Sequence, residues 1–167
     1  MKEVQKYFMD KSIEDVSRIA TILVPLKGHV GDDEVVRQAA LVAKRNKARV
    51  ILLHVIVVKQ QLALDAPMSD EMQVAEDMLQ HGLEIANSYG VTAETSILQA
   101  RSAGLAIVEE VLERKADTLM LAITYYDRFR ESNWGQTIPY ILRNAPCRVW
   151  IYREEIKQSD NAQAPNA

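Results

Sequence analysis

Five short apolar runs punctuate the chain, separated by longer stretches in which apolar residues fall on one stripe only. The first run, Ala20-Thr21-Ile22-Leu23-Val24-Pro25-Leu26, is rich in β-branched residues and too short for a stable helix. Arg49 to Val58, Val91 to Leu98, Thr118 to Ala122 and Cys147 to Tyr152 follow. Continuous runs of this kind read as strands buried on both faces. The third differs: Val91, Ala93, Thr95 and Ile97 alternate with Thr92, Glu94 and Ser96, the period of a strand with one wetter face. Pro25 falls at the end of the first run, where a missing N–H is tolerated.

The stretches between the runs carry helical spacing. After the turn Lys27 to Asp33, with Asp32 or Asp33 as the expected cap, Val35, Val36, Ala39, Val42 and Ala43 form one face. Leu41 lies off that stripe and predicts a broader apolar face. The helix fades at Asn46-Lys47. Ser69 is the expected cap of a long helix with Met72, Ala75, Leu79, Leu83 and Ala86 on one side and Gly90 as its stop. Ser102 is placed to cap a third helix carrying Leu105, Val108, Val111 and Leu112. A fourth opens near Gly135-Gln136-Thr137 and runs to Arg143-Asn144.

Strand and helix therefore alternate from end to end. That order predicts an α/β fold: a five-stranded, mostly parallel sheet with right-handed crossovers and helices on both faces, Rossmann-like in plan. Ligands of such sheets bind beyond the strand C-termini, at the switch in strand order. The stretches to inspect are Leu26 to Gly31, His54 to Val58, Gln99 to Ser102 and the loop after Ala122. That last loop has about a dozen residues, against the usual ~2–6 for a strand-to-helix connection, which marks it for function.

Composition narrows the classes. The 167 residues suit one domain, and 48% apolar with 26% charged is the balance of a globular protein. The net charge of −3 gives no general electrostatic case for nucleic acid or anionic membrane. No run approaches the ~20 apolar residues of a membrane helix, so no membrane insertion is expected. Met1 to Lys6 lacks a secretion-signal core, and the single Cys147 forms no internal disulfide, so the expected compartment is cytoplasmic. Residues 1–18 read as a charged arm or short helix, 19–156 as the domain, and 157–167 as a polar, disordered tail.

Candidate chemistry is sparse. Three scattered histidines and one cysteine give no metal spacing, and no Ser or Cys nucleophile has a matching base. His54, in an apolar strand, reads as a structural imidazole, and Cys147 as inert core. Lys27 and Arg101 both fall at strand C-terminal ends. They read either as an anion site built from side chains or, more simply, as two solvated cations. Arg128 and Arg130 lie beside Asp127 and Glu131, a charge-balanced and solvated arrangement. Tyr125, Tyr126, Phe129 and Trp134 cluster in one loop, where packing on the sheet is the simplest role and a partner contact the next.

From Thr21 to Arg153 the chain resembles the universal stress protein family. The resemblance rests on Ile22-Leu23-Val24-Pro25-Leu26 with Gly28, on Leu52-Leu53-His54-Val55, and on Ala106-Ile107. It rests further on Ala116-Asp117 and on Gly135 through Tyr140-Ile141-Leu142-Arg143-Asn144-Ala145-Pro146-Cys147. It implies an adenine nucleotide alpha hydrolase-like fold. ATP-binding members carry Gly, two residues, Gly, nine residues, Gly, then Ser or Thr, because glycine lets backbone N–H groups approach phosphate. Here those positions are Ala122, Tyr125, Gly135 and Gln136, with Thr137 one step late. The acid that such members carry after the first strand is Lys27, and Arg101 replaces a usual glycine.

The resemblance thus implies a branch that does not bind ATP in the usual way: a non-catalytic regulatory or binding module. It implies homodimerisation through the last strand, Val149-Trp150-Ile151-Tyr152. The alternative keeps ATP or AMP on a modified site, with Pro25, Lys27, Val55, Arg101, Gly135, Gln136 and Thr137 as its residues. A further alternative is a domain docking on another protein such as a transporter, for which the charged arm is the one hint. A response-regulator receiver is excluded: Lys27-Gly28 and Gln99-Ala100 stand where it needs acids.

Overall fold

The computed structural model describes residues 18–123 and 135–153. The expected N-terminal arm, the aromatic and charged loop from Thr124 to Trp134, and the tail lie outside the described residues. Among the described residues nine elements alternate as anticipated: β1 (Thr21–Pro25), α1 (Val30–Asn46), β2 (Arg49–Val57), α2 (Ser69–Ser88) and β3 (Ala93–Ala100), then α3 (Ala103–Glu113), β4 (Thr118–Ile123), α4 (Thr137–Asn144) and β5 (Arg148–Arg153). The sheet order is β3-β2-β1-β4-β5, and every pairing is parallel.

Alternation along the strands sends successive side chains to opposite faces, so each central strand feeds two cores. Ile22, Val24, Val50 and Leu52 join Val35, Ala39, Leu79 and Ala86 beneath α1 and α2. Leu23, Ile51, Leu53 and Leu119 join Ile107, Val111 and Ile141 beneath α3 and α4. On the α2 side the fit is close: a Cβ on Gly82 would lie 2.8 Å from Leu52 Cδ1. Gly104 likewise lets α3 seat against the Tyr140 ring.

Some sequence expectations change. Leu41 is exposed, so the apolar face of α1 is the narrow stripe, widened only by Ala40. On α3, Leu112 is 55% exposed while Glu110 is 3% exposed, the reverse of a hydropathy reading. Glu110 tolerates burial because Oε1 accepts from Arg114 Nε at 3.0 Å and Ser96 Oγ at 3.1 Å. Ser102 caps α3 by accepting from Leu105 N at 3.4 Å. Ser69 instead lies inside α2, whose N-cap is Met68 without a side-chain bond.

The N-terminal end of the sheet is tied by one side chain. Asp117 Oδ2 accepts from Ala20 N at 2.8 Å and Thr21 N at 3.1 Å. Its Oδ1 accepts from Thr118 Oγ1 at 2.9 Å and from Arg148 Nη2 at 3.4 Å. Arg148 Nη2 also donates to Arg18 O at 2.6 Å. Entry into β1, the start of β4 and the start of β5 are thereby joined.

Candidate functional site at the strand C-termini

Strand order reverses between β1 and β4. β1 pairs with β2 over five residues, from Thr21 to Pro25, but with β4 only at Ile22 and Leu23. Above Leu23 the two strands part, which is how a switch-point crevice forms. Among the described residues, α1 and β4 approach each other closely beside it. α1 starts immediately after the β1 turn, and a Cβ on Gly31 would meet the Ala122 methyl at 3.3 Å. Ala122 is the position that the family resemblance assigns to the first phosphate-loop glycine.

The turn itself is closed on a carboxylate. Asp32 Oδ2 accepts the N–H groups of Lys27 and Gly28, both at 2.7 Å, and of His29 at 3.2 Å. Asp32 is only 7% exposed. The expected role of Asp32 or Asp33 as N-cap is therefore corrected: His29 is the N-cap residue, and Asp32, in the third helical position, reaches back. Gly28, at φ +83°, makes this reversal without strain. Asp33 turns outward and meets His81 Nε2 of α2 at 3.1 Å.

The expected site residues divide into separate groups. Pro25 ends β1 and is half-buried, and Lys27 follows it with its side chain exposed. Gly135, Gln136 and Thr137 lead into α4, with Gly135 at φ +58° and open space where a Cβ would be. Gln136 makes no side-chain cap bond. Val55 lies near the top of β2 and lines a cavity of about 480 Å³. His54 beside it is held by Nδ1 against Leu26 O at 2.9 Å, the structural imidazole anticipated for an apolar strand.

Arg101 is half-buried and hydrogen-bonded to the chain rather than a freely solvated cation. Its Nη1 donates to Val58 O at 3.1 Å and to Lys59 O, and its Nη2 to Leu62 O at 2.6 Å. The planar fork of guanidinium suits several carbonyls at once. Arg101 thus pins the loop after β2, and β2 lies between its strand and β1. Sequence reasoning missed the roles of Asp32 and Arg101. For Asp32 a signal existed, an acid three residues after a turn that opens a helix. For Arg101 none did, since its acceptors lie about forty residues upstream in a loop.

Cys147, just before β5, has its thiol pushed up to about 11 by burial, with the Asp117 carboxylate adding to the effect. It is held as a neutral thiol, in keeping with the inert reading. Among the described residues, no group of His, Cys, Asp and Glu is arranged to hold a metal ion, and no helix is long and apolar enough to cross a membrane.

A wholly parallel, doubly wound sheet with a crevice at its strand-order switch defines the Rossmann-like class of α/β proteins. Within that class the assignment is specific: a sequence profile of the Universal stress protein family matches residues 19–153, and the chain belongs to that family. Among curated protein sequences, none matches. Solved structures share the fold. A universal stress protein from Archaeoglobus fulgidus in complex with dAMP is 18% identical, with a TM-score of 0.64, over 79% of this chain and 96% of that one. UspA from Lactobacillus plantarum is 21% identical, with a TM-score of 0.67, over 82% and 99%. A family protein from Arabidopsis thaliana with AMP bound is 15% identical, with a TM-score of 0.58, over 83% and 94%.

Proposed function

We propose that this universal stress protein is a non-catalytic regulatory or binding module that does not bind ATP in the usual way. The observation that carries the reading is the closed turn after β1, with Ala122 close beside it. Ala122 packs on Gly31, and the N–H groups of residues 27–29 already hold the Asp32 carboxylate. A nucleotide seated against this turn would compete with Asp32 for those donors. Lys27 adds a cation where the resemblance implies an acid able to accept from ribose or adenine. Calorimetry of the full chain with ATP and Mg²⁺ at millimolar concentration tests this; the expected result is no binding heat, and saturable heat overturns the reading.

A second reading keeps an adenine nucleotide with fewer phosphates. Its support is that similar structures hold dAMP and AMP, and that Lys27 is exposed at the end of β1. Titration with AMP under the same conditions separates it from the first. Native mass spectrometry of protein purified from its source reads copurified nucleotide and subunit count together.

The module acts as a homodimer through β5. This strand ends the sheet with β4 as its strand neighbour, and Trp150 and Ile151, on opposite faces, are 41% and 36% exposed. Apolar edges of this kind are commonly covered by a partner strand. Light scattering is expected to give twice the 18.9 kDa chain mass, and Ile151→Lys to give the monomer.

A further inference from the structure

The cavity beyond the end of β2 is separate from the β1–β4 crevice: its lining comes from β2, the following loop and the first turns of α2, with no residue of β1 or β4. Its volume, about 480 Å³, lies in the range of small-molecule sites. Its walls are mainly apolar. Val55, Leu62, Met68 and Val74 line it, and Leu62 and Val74 are exposed. The loop that forms one side is held in place before any ligand arrives, because Arg101 grips the carbonyls of Val58, Lys59 and Leu62. Such preorganisation lowers the ordering cost of binding.

The polar side chains in the lining are mostly acceptors. Asp70 and Glu71 are carboxylates. His54 donates through Nδ1 to Leu26 O, since a carbonyl can only accept. Lys59 is the one cationic side chain in the lining. With two carboxylates against one ammonium the cavity is net anionic, and its acceptors outnumber its side-chain donors. A phosphate meets repulsion there; a protonated amine meets complementary charge and acceptors.

We propose that this cavity binds a small organic cation, an apolar body bearing a protonated amine or guanidinium. The inference goes beyond the reading of the crevice and does not depend on it, since Val55 is the one residue of the cavity lining that the resemblance also assigns to a nucleotide site. Apolar contact with Val55, Met68 and Val74 supplies affinity, and Asp70 and Glu71 supply the choice of charge.

The test uses three ligands with one indole body: tryptamine, its neutral alcohol tryptophol, and indole-3-acetate. Calorimetry of the full chain is expected to rank tryptamine first, tryptophol weaker, and indole-3-acetate weakest. The double substitution Asp70→Asn with Glu71→Gln, both on exposed positions, is expected to cut the tryptamine-to-tryptophol preference about tenfold, ~1.4 kcal/mol. Lys59→Glu is expected to raise it, which keeps the test decisive if the double variant folds poorly. Val74→Trp, which fills the cavity, is expected to weaken amine and alcohol alike. Equal binding of the three ligands, preference for indole-3-acetate, no binding by any of them at millimolar concentration, or a preference that ignores both charge changes overturns the proposal. Saturable ATP binding that leaves the tryptamine titration unchanged would defeat the crevice reading and not this one.

Discussion

Each end of the sheet is organised by one aspartate, and the two work at different ranges. At the N-terminal end, Asp117 accepts from Ala20 and Thr21, nearly a hundred residues earlier, and pairs with Arg148 of β5. At the C-terminal end, Asp32 accepts from Lys27, Gly28 and His29, within five residues of itself. The first joins strands that only the folded state brings together. The second shapes a turn that local chemistry already favours. The end that joins distant strands therefore bears on global stability, and the end that shapes a turn bears on what the crevice can admit.

The largest effect is expected at the long-range tie. Asp117→Ala leaves two backbone donors and the Arg148 guanidinium without their acceptor, for a loss of about 3 kcal/mol. Urea unfolding with an unchanged slope checks it. If the loss is no larger than that of an ordinary surface change, the contrast between the two ends fails.

Asp32→Ala removes an acceptor from three N–H groups, yet those donors sit in a turn open to water on one side. The expected cost is about 2 kcal/mol, smaller than for Asp117. Reversal of that order in the same urea assay would show that the local turn, not the strand tie, governs stability.

Arg101→Met sharpens the picture of the C-terminal end by freeing three carbonyls of the loop after β2. Global stability is expected to fall by only about 1 kcal/mol, because the carbonyls of Lys59 and Leu62 are exposed and can turn to water. Hydrogen exchange is expected to rise at residues 58–62 and to stay unchanged in β1 and β4.

The cleanest readout comes from Cys147 and needs no substitution. Its folded pKa of about 11 lies above the ordinary 9.0, so the folded state favours the neutral thiol. The stability this contributes is present in full below pH 9 and is lost as pH climbs from 9 toward 11, where the unfolded thiol ionises first. At pH 8 the native thiol is expected to react with a disulfide reagent about a hundredfold more slowly than the unfolded chain, from thiolate fraction alone.

The elements were legible because hydrophobic period is a local property. The five apolar runs became β1 to β5 with ends shifted by a residue or two, and Gly90 stops α2 in the left-handed region as its position implied. The same reasoning misled where a long side chain had a choice. Leu105 and Leu112 of α3 face solvent while Glu110 is buried, because the face of α3 that meets the sheet is set by Ile107, Val108 and Val111, and Arg114 stands one turn after Glu110. Of the residues expected to line one site, Pro25 ends β1, Lys27 lies in the turn after it, Gly135 to Thr137 lead into α4, and Arg101 follows β3 and grips the loop after β2.

Sequence by itself determined the alternation of strand and helix, the parallel sheet that such alternation requires, and membership of the family. It also showed that two of the three phosphate-loop glycines are replaced, at Ala122 and Tyr125. Tertiary structure alone decided that Arg101 grips carbonyls some forty residues upstream, and that Ala122 meets Gly31. The reason is the range of the forces. Burial pattern repeats every two or 3.6 residues and is written along the chain, whereas a hydrogen-bond partner is chosen by whatever the folded sheet brings within about 3 Å.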